Sequence, residues 1–132
     1  MDERFREEPY AYSAHIGMRM VDWSEGYARF ELPLEPFLLN RHGNPHGGAH
    51  ASLLDTVMGY AGCWTGDPDR LQMALTLSLN VQYLSRPRGA VFIAEGWQTG
   101  GGKSTFFAEA EMKDETGELI AKATGVFRYR KG

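Results

Sequence analysis

The sequence predicts an α+β domain in which one long helix faces one antiparallel sheet, and three observations carry that prediction. A single apolar helical run, Ala51 to Trp64, sits between strand-like segments. The segments after it alternate in polarity and are punctuated by turn residues, as a sheet with one covered face requires. Finally, 132 residues suit one domain with a real core and are too few for two of ordinary size. Residues 1–132 are therefore taken as a single domain, with 1–15 as an N-terminal arm or short helix.

Residues 3–14 are weakly amphipathic and interrupted by Pro9. Two extended runs follow, Met18 to Asp22 and Tyr27 to Leu32, and Ser24-Glu25-Gly26 between them predicts a hairpin. Pro36, Asn40, Gly43 and Pro45 then form a loop dense in breakers, leading into the glycine pair at a helix start. Gly66-Asp67-Pro68 ends that helix. In Leu71 to Leu84 the alternate Leu75, Leu77, Leu79 and Val81 predict one buried face, with Thr76, Ser78, Asn80 and Gln82 on the other. The turn Arg86-Pro87-Arg88-Gly89, Ala90 to Thr99, a triple glycine, Ser104 to Lys113, the turn Asp114 to Gly117 and Leu119 to Tyr129 complete the pattern of an antiparallel meander.

Composition excludes several classes of function. Hydrophobic content of 42% argues for a packed globule rather than a disordered chain. A net charge of −3 gives no basic field for nucleic acid. The single cysteine, Cys63, provides neither a disulfide framework nor a thiol metal cluster, which fits a cytoplasmic protein. Met1 to Pro9 lacks the apolar stretch of an export signal, and no apolar run reaches the roughly eighteen residues of a membrane helix. No membrane partner is expected.

The segment that speaks most directly of chemistry is His46-Gly47-Gly48 with Asp55 in the helix behind it. Glycines at a helix start leave backbone N–H groups bare at the positive end of the helix dipole, where a carbonyl oxygen gaining negative charge is stabilised. At about 100° per residue, Gly48, Ala51, Ser52, Gly59 and Gly62 lie within about 60° of Asp55, whereas Leu53, Val57, Tyr60, Ala61 and Trp64 form the stripe that faces the sheet. Small residues on the acid's face imply that a ligand or a partner helix approaches closely, although a solvated aspartate on an exposed face has the same pattern. Gly47 and Asp55 are separated by about 12 Å of helix axis, too far to reach one carbonyl. If both serve one reaction, each must come from a different protomer of a two-fold dimer.

Two apparent motifs resolve into other things. His42, His46 and His50 are spaced like metal ligands, but Gly43 and Pro45 interrupt the helix they would need, so no metal is expected and His46 is read as shaping the loop. Gly100-Gly101-Gly102-Lys103-Ser104 has part of a phosphate loop's composition, yet the first glycine of that motif falls on Trp97 and a strand follows. It is read as a hairpin turn.

Asn40, Gly43, His46-Gly47-Gly48, Leu54-Asp55, Asn80-Val81-Gln82-Tyr83-Leu84, Arg86-Pro87, Gly117 and Ile120 to Phe127, in that order and spacing, resemble the PaaI-type branch of the hotdog-fold acyl-CoA thioesterases. The resemblance covers nearly the whole chain. It implies a hotdog fold, an antiparallel sheet wrapped around a long central helix, with homodimers of continuous sheet that in the family often assemble further into homotetramers. Carried over by position, Gly47 offers its N–H to the thioester carbonyl, Asn40 supports that pocket, Asp55 acts from the facing subunit and Thr76 helps hold the attacking water. Val57, two places after the acid, departs from the family's small residue.

The resemblance thus implies hydrolysis of an acyl-CoA thioester to free acid and CoA, with no cofactor beyond the CoA of the substrate. Asp55 is either a general base on water or a nucleophile. His46 and Gly48 are candidate substrate-binding residues, and Arg86, Arg88 and Lys103 are candidate CoA contacts because they lie in turns, where ordinary solvated charge is the competing reading. A non-catalytic acyl-CoA-binding protein and a hotdog hydratase are the alternatives. The hydratase is disfavoured because its Asp and His pair at the helix start has no clear counterpart.

Overall fold

A computed structural model describes residues 1–131. A 3₁₀ turn (Glu3–Phe5) and a short helix α1 (Ala11–Ile16) precede the hairpin β1 (Arg19–Ser24) and β2 (Tyr27–Pro33). The long helix α2 (Gly47–Gly62) follows, then β3 (Met73–Tyr83), β4 (Val91–Gly101), β5 (Thr105–Asp114) and β6 (Leu119–Arg130). The first hairpin closes where Ser24 pairs with Tyr27, and Gly26 supplies the left-handed residue at φ +68°. All strand pairs are antiparallel, in the order β1-β2-β4-β5-β6-β3.

The apolar stripe read from the sequence seats α2 across the middle of this sheet. Leu53, Val57 and Ala61 are fully buried, as are Leu54 and Met58 beside them, against Leu32, Phe92, Phe106, Met112 and Ile120 of the strands. Each of these side chains except the small Ala61 contributes roughly 1.5–3 kcal/mol on burial, so this interface is a principal source of stability. The helix backbone presses on β4 at Gly96, where a Cβ would lie 2.7 Å from the Val57 carbonyl oxygen. The arm covers the other end of the helix: the Phe5 ring lies 3.9 Å from that of Trp64, and the Tyr60 hydroxyl donates to Glu7.

Four local expectations are corrected. The helix stops at Gly62 rather than at Gly66-Asp67-Pro68, because side chains satisfy its last carbonyls: Trp23 Nε1 donates to Tyr60 at 2.8 Å and the Tyr129 hydroxyl to Gly62 at 2.9 Å. Gly62 does not make room for a ligand, since the Phe106 ring fills the place of its missing side chain.

β3 does not bury Leu75, Leu77, Leu79 and Val81 on one face, because a bulge between Thr76 and Ser78 breaks the alternation. Leu75 and Leu77 are left exposed, Leu77 at 57% of its surface, and Thr76 turns to the helix side as the cross-strand neighbour of buried Phe127. Nor do the last four strands form a simple meander. β3 pairs with β6, so Arg86 to Gly89 is a crossover from the sheet edge back to its middle, and only β4-β5-β6 meander.

Candidate active site

The loop before α2 is folded by its own polar groups. Asn40 Oδ1 accepts the N–H groups of His42 (2.9 Å) and Asn44 (3.2 Å), while Gly43 takes φ +79° and donates to the Asn40 carbonyl. The His46 N–H is held by the Leu38 carbonyl at 2.8 Å. His46 thus arrives extended, at φ −63° and ψ 137°, as the N-cap of α2, and its Nδ1 accepts the Gly48 N–H at 2.8 Å.

That cap decides which amide is free. Of the first two helical N–H groups, Gly48 is occupied by His46, whereas Gly47 has no hydrogen-bond partner among the described residues. The Gly47 carbonyl accepts the Tyr83 hydroxyl at 2.7 Å. A bare N–H at the first helical position, with the helix dipole behind it, is a donor suited to an oxyanion.

Asp55 lies two turns further on and is half-buried, with Oδ1 accepting the Thr76 hydroxyl at 2.7 Å. Burial pushes its carboxyl above the ordinary value, and the Thr76 hydrogen bond opposes that rise. The β3 bulge is what aims Thr76 here. A pocket of about 360 Å³ opens beside the pair, lined by Asp55, Thr76, Gly59 and Tyr60 together with Glu7 and Tyr10 of the arm. A carboxylate made more basic by burial, beside a hydroxyl and a cavity, has the elements needed to take a proton from water.

The remaining candidates are placed differently. Arg88 extends into solvent and pairs with Glu118 at 2.7 Å. Arg86 is exposed in the same crossover; Lys103 is exposed in the turn at the opposite end of β4, so these cations do not form one patch within a protomer. Val57 packs into the core and does not line the pocket. His50 is buried with Nδ1 3.1 Å from the His46 carbonyl, and burial lowers its pKa. Sequence reasoning missed the parts played by four residues: His50, Tyr83, and Glu7 and Tyr10 of the arm. His50 stood out only through its metal-like spacing from His42 and His46, and Tyr83 only as part of the segment Asn80 to Leu84; Glu7 and Tyr10 carried no signal.

The model of the Thioesterase superfamily matches residues 42–121, from the loop before α2 into β6. The chain belongs to that superfamily. Among solved structures, a conserved protein of Pseudomonas aeruginosa is 29% identical, with 98% of each chain covered and a TM-score of 0.83. A Bacillus halodurans protein, determined with CoA, is 25% identical over 98% of this chain and 85% of its own, at TM-score 0.80. The PaaI protein of E. coli, from the phenylacetic acid degradation operon, is 22% identical over 93% of this chain and 86% of its own, at 0.81, a likeness of fold. The fold is the hotdog, as the resemblance implied, and the chemistry of the superfamily is thioester hydrolysis. Among the described residues no helix is long and apolar enough to cross a membrane.

Proposed function

We propose that the chain hydrolyses acyl-CoA thioesters to free acid and CoA in a homodimer, with the Gly47 N–H polarising the thioester carbonyl and Asp55 of the other protomer activating water. One observation carries this reading. The structure leaves an unpartnered N–H at one end of α2 and a half-buried, Thr76-bonded carboxylate about 12 Å along the same axis. Neither is a complete site, and a two-fold axis between antiparallel copies of α2 brings each to the other's complement.

The open edge of the sheet supports the dimer. β3 pairs with β6 on one side only, and Leu75, Leu77, Tyr83 and Leu84 are exposed along or just beyond it. An edge this long and apolar is a template for another strand, and a second copy of β3 continues the sheet. Further pairing of dimers into tetramers, a cytoplasmic location and the absence of any cofactor besides the substrate's CoA belong to the same proposal. The CoA in the Bacillus halodurans structure supports the choice of thiol.

Water attack is favoured over a nucleophilic aspartate because Thr76 offers a second group to hold the water. Thiol release from a panel of acyl-CoA esters tests the reading: turnover of at least one ester is expected, while binding without release would establish the non-catalytic alternative.

The raised Asp55 carboxyl gives a prediction on pH. Activity needs the ionised form, so kcat rises with pH through an acid limb set above the usual aspartate range of about 3.9. Thr76→Val removes a hydrogen bond that favours the ionised form, so the limb moves to higher pH and kcat on its plateau falls about three- to tenfold. A pH–rate profile unchanged in both respects would remove Thr76 from the mechanism.

A further inference from the structure

Two side chains with no part in the chemistry above converge on the start of α2. The peptide unit that carries the Gly47 N–H has the His46 carbonyl at its other end. That oxygen accepts twice, from the Ala49 N–H at 2.8 Å and from His50 Nδ1 at 3.1 Å. A carbonyl can only accept, so the contact places the ring proton of His50 on Nδ1. Donors on the oxygen of a peptide unit draw electron density toward it and strengthen the N–H at the opposite end as a donor.

The next peptide unit is held as well. Its oxygen, the Gly47 carbonyl, takes the Tyr83 hydroxyl at 2.7 Å, and that hydroxyl lies 3.2 Å from where a Cβ on Gly47 would sit. His50 is 6% exposed, and its ring is fixed between those of Tyr83 (centroids 5.0 Å apart) and Phe92 (4.7 Å). The two side chains therefore brace each other while each grips one carbonyl beside the free amide.

We infer that His50 and Tyr83 are positioning residues of the oxyanion donor, clamping the two carbonyls that flank the Gly47 amide so that its N–H is oriented and polarised toward the substrate. The inference rests on the reading that this N–H receives the thioester carbonyl. An amide preorganised in this way acts on the charge that develops during the reaction, so its loss falls on kcat and spares KM.

The test compares wild type, Tyr83→Phe, His50→Phe and His50→Asn in steady-state acyl-CoA hydrolysis, using the intact chain. Tyr83→Phe and His50→Phe are each expected to lower kcat about tenfold with KM within about twofold. His50→Asn, whose amide N–H can stand where Nδ1–H stood, is expected to recover kcat to within about threefold of wild type. Wild-type kcat in both Phe variants, a loss confined to KM, or a His50→Phe defect that Asn does not repair overturns the inference while the thioesterase reading stands. A wild-type chain that releases no thiol from any ester overturns that reading first and this inference with it. If His50→Phe fails to fold, Tyr83→Phe decides alone, since it removes one hydroxyl from a half-exposed side chain.

Discussion

Asp55→Asn is expected to lower kcat for the proposed acyl-CoA hydrolysis by about 10² to 10⁴ while the fold and the proposed dimer persist. The amide keeps the shape of the carboxylate and can still accept the Thr76 hydroxyl, but it cannot take a proton from water. Linkage separates this loss from unfolding. Burial raises the folded-state pKa of Asp55, so the stability linked to this group is fully present below its unfolded-state pKa and is lost as pH rises through the folded value. At neutral pH the ionised carboxylate therefore works against the fold, and the Asn variant should melt at or above the wild-type temperature. Turnover and thermal denaturation measured on one preparation check both halves, and wild-type turnover in the variant would refute the assignment.

Asp114→Ala is expected to cost about 3 kcal/mol or more of stability, with a fall of roughly 10 °C in melting temperature. Asp114 is 2% exposed and sits where the β5–β6 turn meets the crossover into β4. Its carboxylate accepts five hydrogen bonds: from the Arg88 and Gly89 N–H groups of the crossover, and from the Thr116 N–H, the Thr116 hydroxyl and the Glu118 N–H of the turn. Burial works to raise its pKa, yet the Thr116 hydroxyl and the backbone donors together prevail and hold it below the ordinary range. Alanine leaves those donors unpaired inside the protein. Because the folded pKa is depressed, this stability is present above the unfolded value near 3.9 and is lost as pH falls below it. The gap in melting temperature between variant and wild type should therefore narrow under acid. A variant within about 2 °C of wild type at neutral pH would contradict the account.

What the sequence made legible is local. The start of α2 follows from glycines behind a loop of breakers, its buried stripe from 3.6-residue periodicity, and the first hairpin from Glu25-Gly26. Two strongly apolar faces then fit together in one way, and the helix lies across the sheet. The rest depended on contacts remote in the chain. β3 looked like a strand with one buried face because its leucines alternate, but pairing with β6, some fifty residues later, installs the bulge that rotates Thr76 toward Asp55. The same pairing brings Tyr83 to Gly47, 36 residues before it. Gly62 shows the converse: its small size answered a neighbouring phenylalanine within the core, not the site. Asp55 was legible as a candidate by its place among small residues. Its raised pKa was not, since that depends on burial contributed by other elements.

If each reaction centre takes its amide from one protomer and its carboxylate from the other, two variants that each lack one half must complement each other in mixed dimers. Gly47→Pro deletes the amide hydrogen at the first helical position, where proline is tolerated, and His46 already has the extended conformation that precedes proline. Alone it is expected to lower kcat by about 10² to 10³, and Asp55→Asn is expected to disable the other half of each centre. When equal amounts exchange subunits, half the dimers are mixed, and each of these has one centre with native Gly47 and native Asp55. Activity should therefore recover to about one quarter of wild type. Mixed dimers that form and yet show no more activity than the two parents would contradict the account.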